Sequence, residues 1–291
     1  MPELPEVETV KRGLEPVLTD AKILTAKTNR ANLRYPFPEN FSKILIGLKV
    51  IALTRRAKYL LIHLSSHETI ISHLGMSGSW RIENELLHDD YFTKGKLSVH
   101  DHFEMQVFTN KHQTLHIIYN DPRRFGFIEL VKTETLNDHP ILSKLGVEPT
   151  GNTLSGHYLQ KIFANKKAPL KAALLDQSLI AGLGNIYVCE ALWRAGLSPE
   201  RPAYTLALHS KKAQTSAALL AVSIRDVIHE AIIAGGSSLK DYVQTDGSLG
   251  YFQHRFSVYN RMGEKCRRCQ KPIQRITQSG RSSFYCAYCQ K

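Results

Sequence analysis

VIALTRRAKYLLIHL, residues 50–64, decides how the first half of the chain is read. It is rich in β-branched and large aliphatic residues, and runs of the same kind follow it: ETIISHL (68–74), HFEMQVF (102–108), TLHIIYN (114–120) and FGFIELV (125–131). Their partial alternation, with polar or Gly/Pro-rich connections between them, predicts short strands over residues 21–131 in a β-sandwich or barrel. Upstream, Val7, Val10, Leu14 and Leu18 recur near the helical period and predict a first helix over Pro5–Leu18.

Beyond Thr153 the apolar spacing lengthens to three and four residues. GHYLQKIFA (156–164), LKAALLDQS (170–178), NIYVCEALWRAGL (185–197) and the long run at 205–236 predict helices, the last closed by Gly235 and Gly236. LNDHP (136–140) and LGVEPTGN (145–152) form the expected interdomain connection. The expected fold class is therefore α+β and multi-domain: an N-terminal β-sandwich over 2–134 with its N-terminal helix, a linker at 135–152, a helical domain at 153–240 and a small C-terminal tail at 241–291.

The chain has 291 residues, a formal charge of +12 and a pI near 9.5, which points to a polyanionic partner such as nucleic acid, or simply to a solvated basic surface. No apolar segment reaches the length of a bilayer crossing, so no membrane partner is expected. The N-terminus lacks the basic-then-apolar pattern of a secretory leader, so a cytosolic, nucleoid-facing location is the expectation.

Four of the five cysteines form two CxxC pairs, Cys266/Cys269 and Cys286/Cys289, with sixteen residues between the pairs. That spacing fits a zinc ribbon, in which each CxxC turn offers two thiolates and two turns complete a tetrahedron. Four protein sulfurs leave no position for water, so the expected cofactor is one structural Zn2+ rather than a catalytic one. Around the cysteines lie Arg255, Arg261, Lys265, Arg267, Arg268, Lys271, Arg275, Arg281 and Lys291 against a single acid, Glu264, which suits a grip on phosphates.

Three turns invite a nucleic-acid reading. GLGNIY (182–187) places Asn185 where it could cap a helix, and the amides of such a helix start suit a phosphate; Lys166, Lys167 and Lys171 lie just upstream. HLGMSG (73–78) sets Met76 on one turn, and DPRRFGF (121–127) sets Arg123 and Phe125 on another. Apolar side chains on turns serve as core plugs, or as wedges that part stacked bases so that a nucleotide can be extruded.

MPELPEVETV, residues 1–10, raises the question of chemistry. Removal of Met1 would expose Pro2 as a secondary amine, and attack on a sugar C1′ by that nitrogen gives a cationic iminium without further protonation. Glu3 beside it could move protons to and from the sugar. Glu6 and Glu8 read as an acidic first helical turn.

Taken in order, MPELPEVETV, RRAKYLL (55–61), HLGMSG, DPRRFG, GLGNIY, GGSSLKDY (235–242) and the four-cysteine ribbon resemble the bacterial formamidopyrimidine-DNA glycosylases over the whole chain. The resemblance implies a bifunctional base-excision repair enzyme with a helix–two-turn–helix domain and a zinc-finger hairpin. It would remove oxidised purines such as 8-oxoguanine and formamidopyrimidines, then cut the abasic strand by β- and δ-elimination. The implied partner is double-stranded DNA containing oxidised purines or abasic sites, and the implied state is a monomer. On this resemblance Pro2 forms the Schiff base, Glu3 is the acid/base, Lys58 serves β-elimination and Arg281 δ-elimination. His73, His100, Arg123, Lys167, Lys171 and Asn185 match DNA-contacting positions. Met76, Arg123 and Phe125 match the residues that fill the gap left by the flipped nucleotide. The segment 235–251 matches a lid over the everted base, and HDDYFTKGKLSVHD (88–101) reads as an exposed insertion. Alternatives are an endonuclease VIII-like glycosylase for oxidised pyrimidines and a non-catalytic damaged-DNA binder.

Overall fold

A computed structural model describes residues 2–84, 97–237 and 250–291. Most of the expected 88–101 insertion and of the expected 235–251 lid lies outside the described residues. The chain forms two compact units, one of residues 1–143 with 234–251 and one of residues 144–233 with 252–291.

The first unit opens with α1, Leu4–Leu18, one residue longer than its apolar spacing predicts. Glu3 and Glu6 face each other as a capping box: the Glu3 backbone N–H donates to Glu6 Oε2 at 2.8 Å. Val7, Val10, Leu14 and Leu18 form the buried stripe. Two four-stranded antiparallel sheets follow. One has the order β1 (Lys22–Thr28), β6 (Asp101–Phe108), β7 (Thr114–Asn120), β5 (Ser79–Asn84); the other has the order β2 (Val50–Arg56), β3 (Tyr59–Leu64), β4 (Glu68–His73), β8 (Phe127–Lys132). A short helix, α2 (Phe41–Leu45), lies between β1 and β2 in sequence.

Inward-facing residues of both sheets share one core with α1 and α2, including Ile62 and Ile70 from one sheet and Phe103, Ile117 and Trp80 from the other. This is the sandwich expected from the strand pattern. Each such side chain contributes about 1.5–3 kcal/mol on leaving water, so the platform rests on ordinary hydrophobic burial. Val50–Leu64 is a hairpin: Arg56 pairs with Tyr59 around a two-residue turn in which buried Ala57 adopts φ +51°. The chain crosses between sheets twice at one end, through 74–78 from β4 to β5 and through 121–126 from β7 to β8. Because Ser79 pairs with Asn120 and His73 with Phe127, the two crossings run side by side.

The second unit contains α3 (Gly156–Phe163), α4 (Leu170–Leu174), α5 (Asn185–Ala195) and α6 (Lys211–Ile233), then the hairpin β9 (Gln274–Gln278) and β10 (Arg281–Tyr285). Gly196, at φ +69°, ends α5, as a residue without Cβ readily does. The hairpin tail is not a free appendage. Cys189 and Trp193 of α5 pack with Val258, Ile273, Phe284, Cys266 and Cys286 in one small apolar cluster.

Candidate active site and nucleic-acid interface

In the first unit, Pro2 and Glu3 are buried at the head of α1. Glu6 is also buried and does more than make an acidic turn. Besides the Glu3 amide, it accepts from the Ser237 N–H at 2.8 Å and the Ser237 hydroxyl at 3.0 Å. One carboxylate thus joins the backbone of Glu3 to residue 237. Glu8 accepts from Arg55 Nε at 2.9 Å, tying α1 to the hairpin on whose turn Lys58 lies, 8% exposed. Arg55 also donates to the Ala57 carbonyl at 2.9 Å, which fixes that turn.

His73 closes β4 between aromatic neighbours, 4.9 Å from the Tyr59 ring and 5.5 Å from the Phe127 ring. Burial, with Lys58 and Arg34 nearby, lowers its pKa to about 4, so it is neutral at physiological pH. Its Nδ1 accepts the Gly75 N–H at 3.1 Å. His73 thus orients the turn that follows it. His100 ends a short 3-10 turn, Ser98–His100, and is half-buried.

Met76 is half-buried, and Phe125 is 46% exposed with the Arg123 guanidinium 4.8 Å over its ring. Their loops touch through backbone. A Cβ on Gly75, which has φ +58°, would lie 2.3 Å from both Phe125 C and Gly126 N. On Gly126 it would lie 1.9 Å from the Tyr119 hydroxyl.

In the second unit, Lys167 is exposed, and so is Arg281 at the start of β10. Ser279 and Gly280, both at positive φ, make the two-residue turn that sets Gln278 opposite Arg281. Lys171 lies beneath that hairpin. It is 1% exposed, and its Nζ donates to the Ser282 carbonyl at 3.0 Å and to Ser283 Oγ at 2.6 Å. Burial makes it a strut under the hairpin. The expected N-cap is corrected: Gly184 is the N-cap and Asn185 the first helical residue, with Nδ2 donating to the same Ser282 carbonyl at 2.9 Å. Gln177 braces the turn before α5, donating to the Leu183 carbonyl at 2.8 Å and accepting the Gly182 N–H at 2.9 Å. Glu190 on α5, 1% exposed, accepts backbone N–H groups of Ser257, Val258 and Tyr259 at 2.8–2.9 Å. Sequence reasoning did not find Glu6, Glu8 or Glu190. The one signal available was an acid at otherwise apolar helix positions.

The four ribbon sulfurs lie within 4.8 Å of one another, with Cys266–Cys289 at 3.9 Å and Cys269–Cys286 at 3.4 Å. Tetrahedral Zn–S bonds require about 3.8 Å between sulfurs, so the donor set fits one Zn2+. Burial raises the Cys266 thiol, but donors from the Cys269 backbone, the Trp193 ring and the Arg268 backbone outweigh it and lower it to about 6. Burial, then the neighbouring sulfurs, push Cys289 up to about 12. A divalent cation relieves this crowding. Trp193 Nε1 lies 3.4 Å from Cys266 Sγ, and the Arg268 guanidinium sits 4.1 Å over the Trp193 ring.

The family description "Formamidopyrimidine-DNA glycosylase N-terminal domain" matches residues 1–128, "Formamidopyrimidine-DNA glycosylase H2TH domain" matches 145–243, and "Zinc finger found in FPG and IleRS" matches 263–291. The chain belongs to the formamidopyrimidine-DNA glycosylase family. The formamidopyrimidine-DNA glycosylase of Bartonella tribocorum is 63% identical over 291 residues, and that of Brucella ovis 55% over 296, each alignment covering 100% of both chains. Among solved structures, a mutant Lactococcus lactis enzyme bound to DNA containing Fapy-dG is 34% identical, with a TM-score of 0.85 and 100% of both chains covered. A complex of the Lactococcus lactis protein with DNA containing an abasic site is 33% identical, with a TM-score of 0.84 over 100% of both chains.

Proposed function

We propose that this chain excises oxidised purines, 8-oxoguanine and formamidopyrimidines, from duplex DNA and then cuts the abasic strand. The observation that carries the reading is the head of α1: Pro2 and Glu3 are held there by the Glu6 cap, and Glu8–Arg55 pins the same helix to the Lys58 hairpin. Once Met1 is removed, the Pro2 nitrogen bonds to C1′ as the bond from C1′ to the base breaks. Glu3 delivers a proton to the ring oxygen as the sugar opens, leaving an iminium on C1′. Loss of a C2′ proton then expels the 3′ phosphate, with Lys58 the proton carrier. Loss of a second proton, from C4′, expels the 5′ phosphate, and the exposed Arg281 serves that step. Water releases the sugar fragment and restores the amine.

His73, His100, Arg123, Lys167, Lys171 and Asn185 are the DNA-contacting residues, while Met76, Arg123 and Phe125 occupy the space left by the everted nucleotide. Cys266, Cys269, Cys286 and Cys289 hold one Zn2+, which closes the ribbon and has no free position for chemistry. The protein acts as a monomer in the cytoplasm, beside the nucleoid; no described helix is long and apolar enough to cross a membrane.

Borohydride reduces an iminium to a stable amine and so traps protein on DNA. With the protein freed of Met1, a duplex bearing 8-oxoguanine opposite cytosine yields a covalent adduct, and Pro2→Gly lowers its yield by ~100-fold or more, the scale expected for loss of a covalent nucleophile. No adduct with the wild-type chain would leave only the damaged-DNA binder. Oxidised pyrimidines form a second reading, because a Lactococcus lactis relative has been solved with DNA containing an oxidised pyrimidine. Faster cutting of thymine glycol opposite adenine than of 8-oxoguanine opposite cytosine would select it.

A further inference from the structure

Asp121 is fully buried, and its carboxylate stands where the two crossings of the first unit meet. Oδ1 accepts the Ser77 hydroxyl at 2.6 Å and the Arg123 N–H at 3.3 Å; Oδ2 accepts the Gly126 N–H at 2.8 Å. Ser77 Oγ also accepts the Arg123 N–H, at 3.1 Å. Ser77 adjoins Met76 on one loop, while Arg123 and Gly126 flank Phe125 on the other. The Asp121 backbone reaches a third segment: its N–H donates to the His100 carbonyl at 3.0 Å, and its carbonyl accepts from His102 Nε2 at 3.0 Å. Next to it, the Tyr119 hydroxyl donates to the His73 carbonyl at 3.2 Å, and burial raises its pKa well above 10, so it remains a neutral donor.

We propose that Asp121 is a positioning residue that locks the Met76 loop to the Arg123–Phe125 loop, so that all three side chains enter the duplex as one rigid wedge. The inference rests on the proposed function. A carboxyl group suits this place because both of its oxygens accept here, and the groups converging on it are donors. An amide does not. Turned one way, its NH2 faces the Arg123 N–H; turned the other, it faces the Gly126 N–H. The missing side chains at Gly75 and Gly126 let the loops approach closely, and the carboxylate keeps them there.

The test compares two substrates. Opening a stacked duplex needs the wedge, whereas an abasic site in a single strand has no stack to open. In Asp121→Asn, excision of 8-oxoguanine from a duplex falls ~10- to ~100-fold, the scale of lost positioning, while borohydride trapping on a single-stranded abasic oligonucleotide stays within about twofold of wild type. Ser77→Ala, which removes one donor and leaves the carboxylate in place, shows the same asymmetry at about threefold and carries the test if Asp121→Asn does not fold. Equal losses on both substrates would make Asp121 merely structural, and unchanged duplex excision would show that the wedge needs no lock; either overturns the proposal. A wild-type chain that gives no adduct on the 8-oxoguanine duplex removes the functional reading itself, a result separate from either of these.

Discussion

In the first unit, Met76, Arg123 and Phe125 stand on loops that leave a sandwich with a broad apolar core, where α1, α2 and both sheets meet. In the second, Arg281 stands on a two-stranded hairpin whose own apolar support is Val258, Ile273 and Phe284 against one face of α5. The sandwich can hold its loops with hydrogen bonds alone, because hydrophobic burial has already fixed their roots. The hairpin cannot, since isolated two-stranded elements are marginal in water. Its position is set by sulfur ligands at one end, by Lys171 and Asn185 on the Ser282 carbonyl at the other, and by Glu190 on the chain that leads into the ribbon at 257–259. Metal and buried ions replace the missing core.

Removing the metal strains this contrast hardest. Zinc contributes about 10–16 kcal/mol to the folding of isolated zinc-finger peptides, so chelation should melt the hairpin, abolish its amide protection and cut DNA affinity at least ~10-fold. Amide exchange before and after verified zinc loss checks it; protection in the sandwich should persist. A hairpin that stays protected would mean that α5 alone suffices.

Glu190→Ala is next. It leaves three buried amide donors without their carboxylate and should cost about 3 kcal/mol or more, read as a lower denaturant midpoint and faster zinc transfer to a chelator. Glu190→Gln, keeping one acceptor, should fall between that variant and wild type. If Glu190→Ala keeps the wild-type midpoint, the ribbon does not depend on this carboxylate.

His73 probes the sandwich instead. Its folded pKa is about 4 and an unfolded histidine titrates near 6.5, so between these values the unfolded chain binds the extra proton. Its contribution is full above pH 6.5, falls by up to about 1.4 kcal/mol per pH unit on acidification, and levels off below about pH 4. The difference in stability between wild type and His73→Phe, measured by denaturant titration across that window, should shift in favour of the variant as pH falls. A difference that stays flat would place a charged imidazole in the fold.

Much of this was legible beforehand, for physical reasons that differ by element. The stripe Val7, Val10, Leu14, Leu18 located α1 because one helical face is buried along its full length. The CxxC pairs located the metal site because two short turns bring their own ligands together. The Ala57–Lys58 turn was hidden inside an apolar run, since an alanine at positive φ carries no glycine or asparagine signal and depends on Arg55 for its shape. The contacts of Lys171 and Asn185 with Ser282 were not legible, because spacing shows where a side chain starts and not what it meets; that partner is more than ninety positions away. The same holds for Glu6, whose contact with Ser237 spans 231 positions.

The smallest effect belongs to Trp193. Trp193→Phe deletes one N–H···S contact to Cys266 and keeps most of the ring beneath Arg268. It should cost about 1 kcal/mol or less and speed zinc release only a few-fold, measured with a chromogenic chelator. A large acceleration would show that this single donor secures the ribbon.

The bare contact at Gly75 and Gly126 has an evolutionary corollary. Where main chains meet with no β-carbon between them, point mutation has no small step available: alanine already collides, and nothing smaller than glycine exists. The stride from Met76 to Phe125 is therefore a quantity that descendants of this chain inherit whole, and they can alter it only by adding or deleting loop residues.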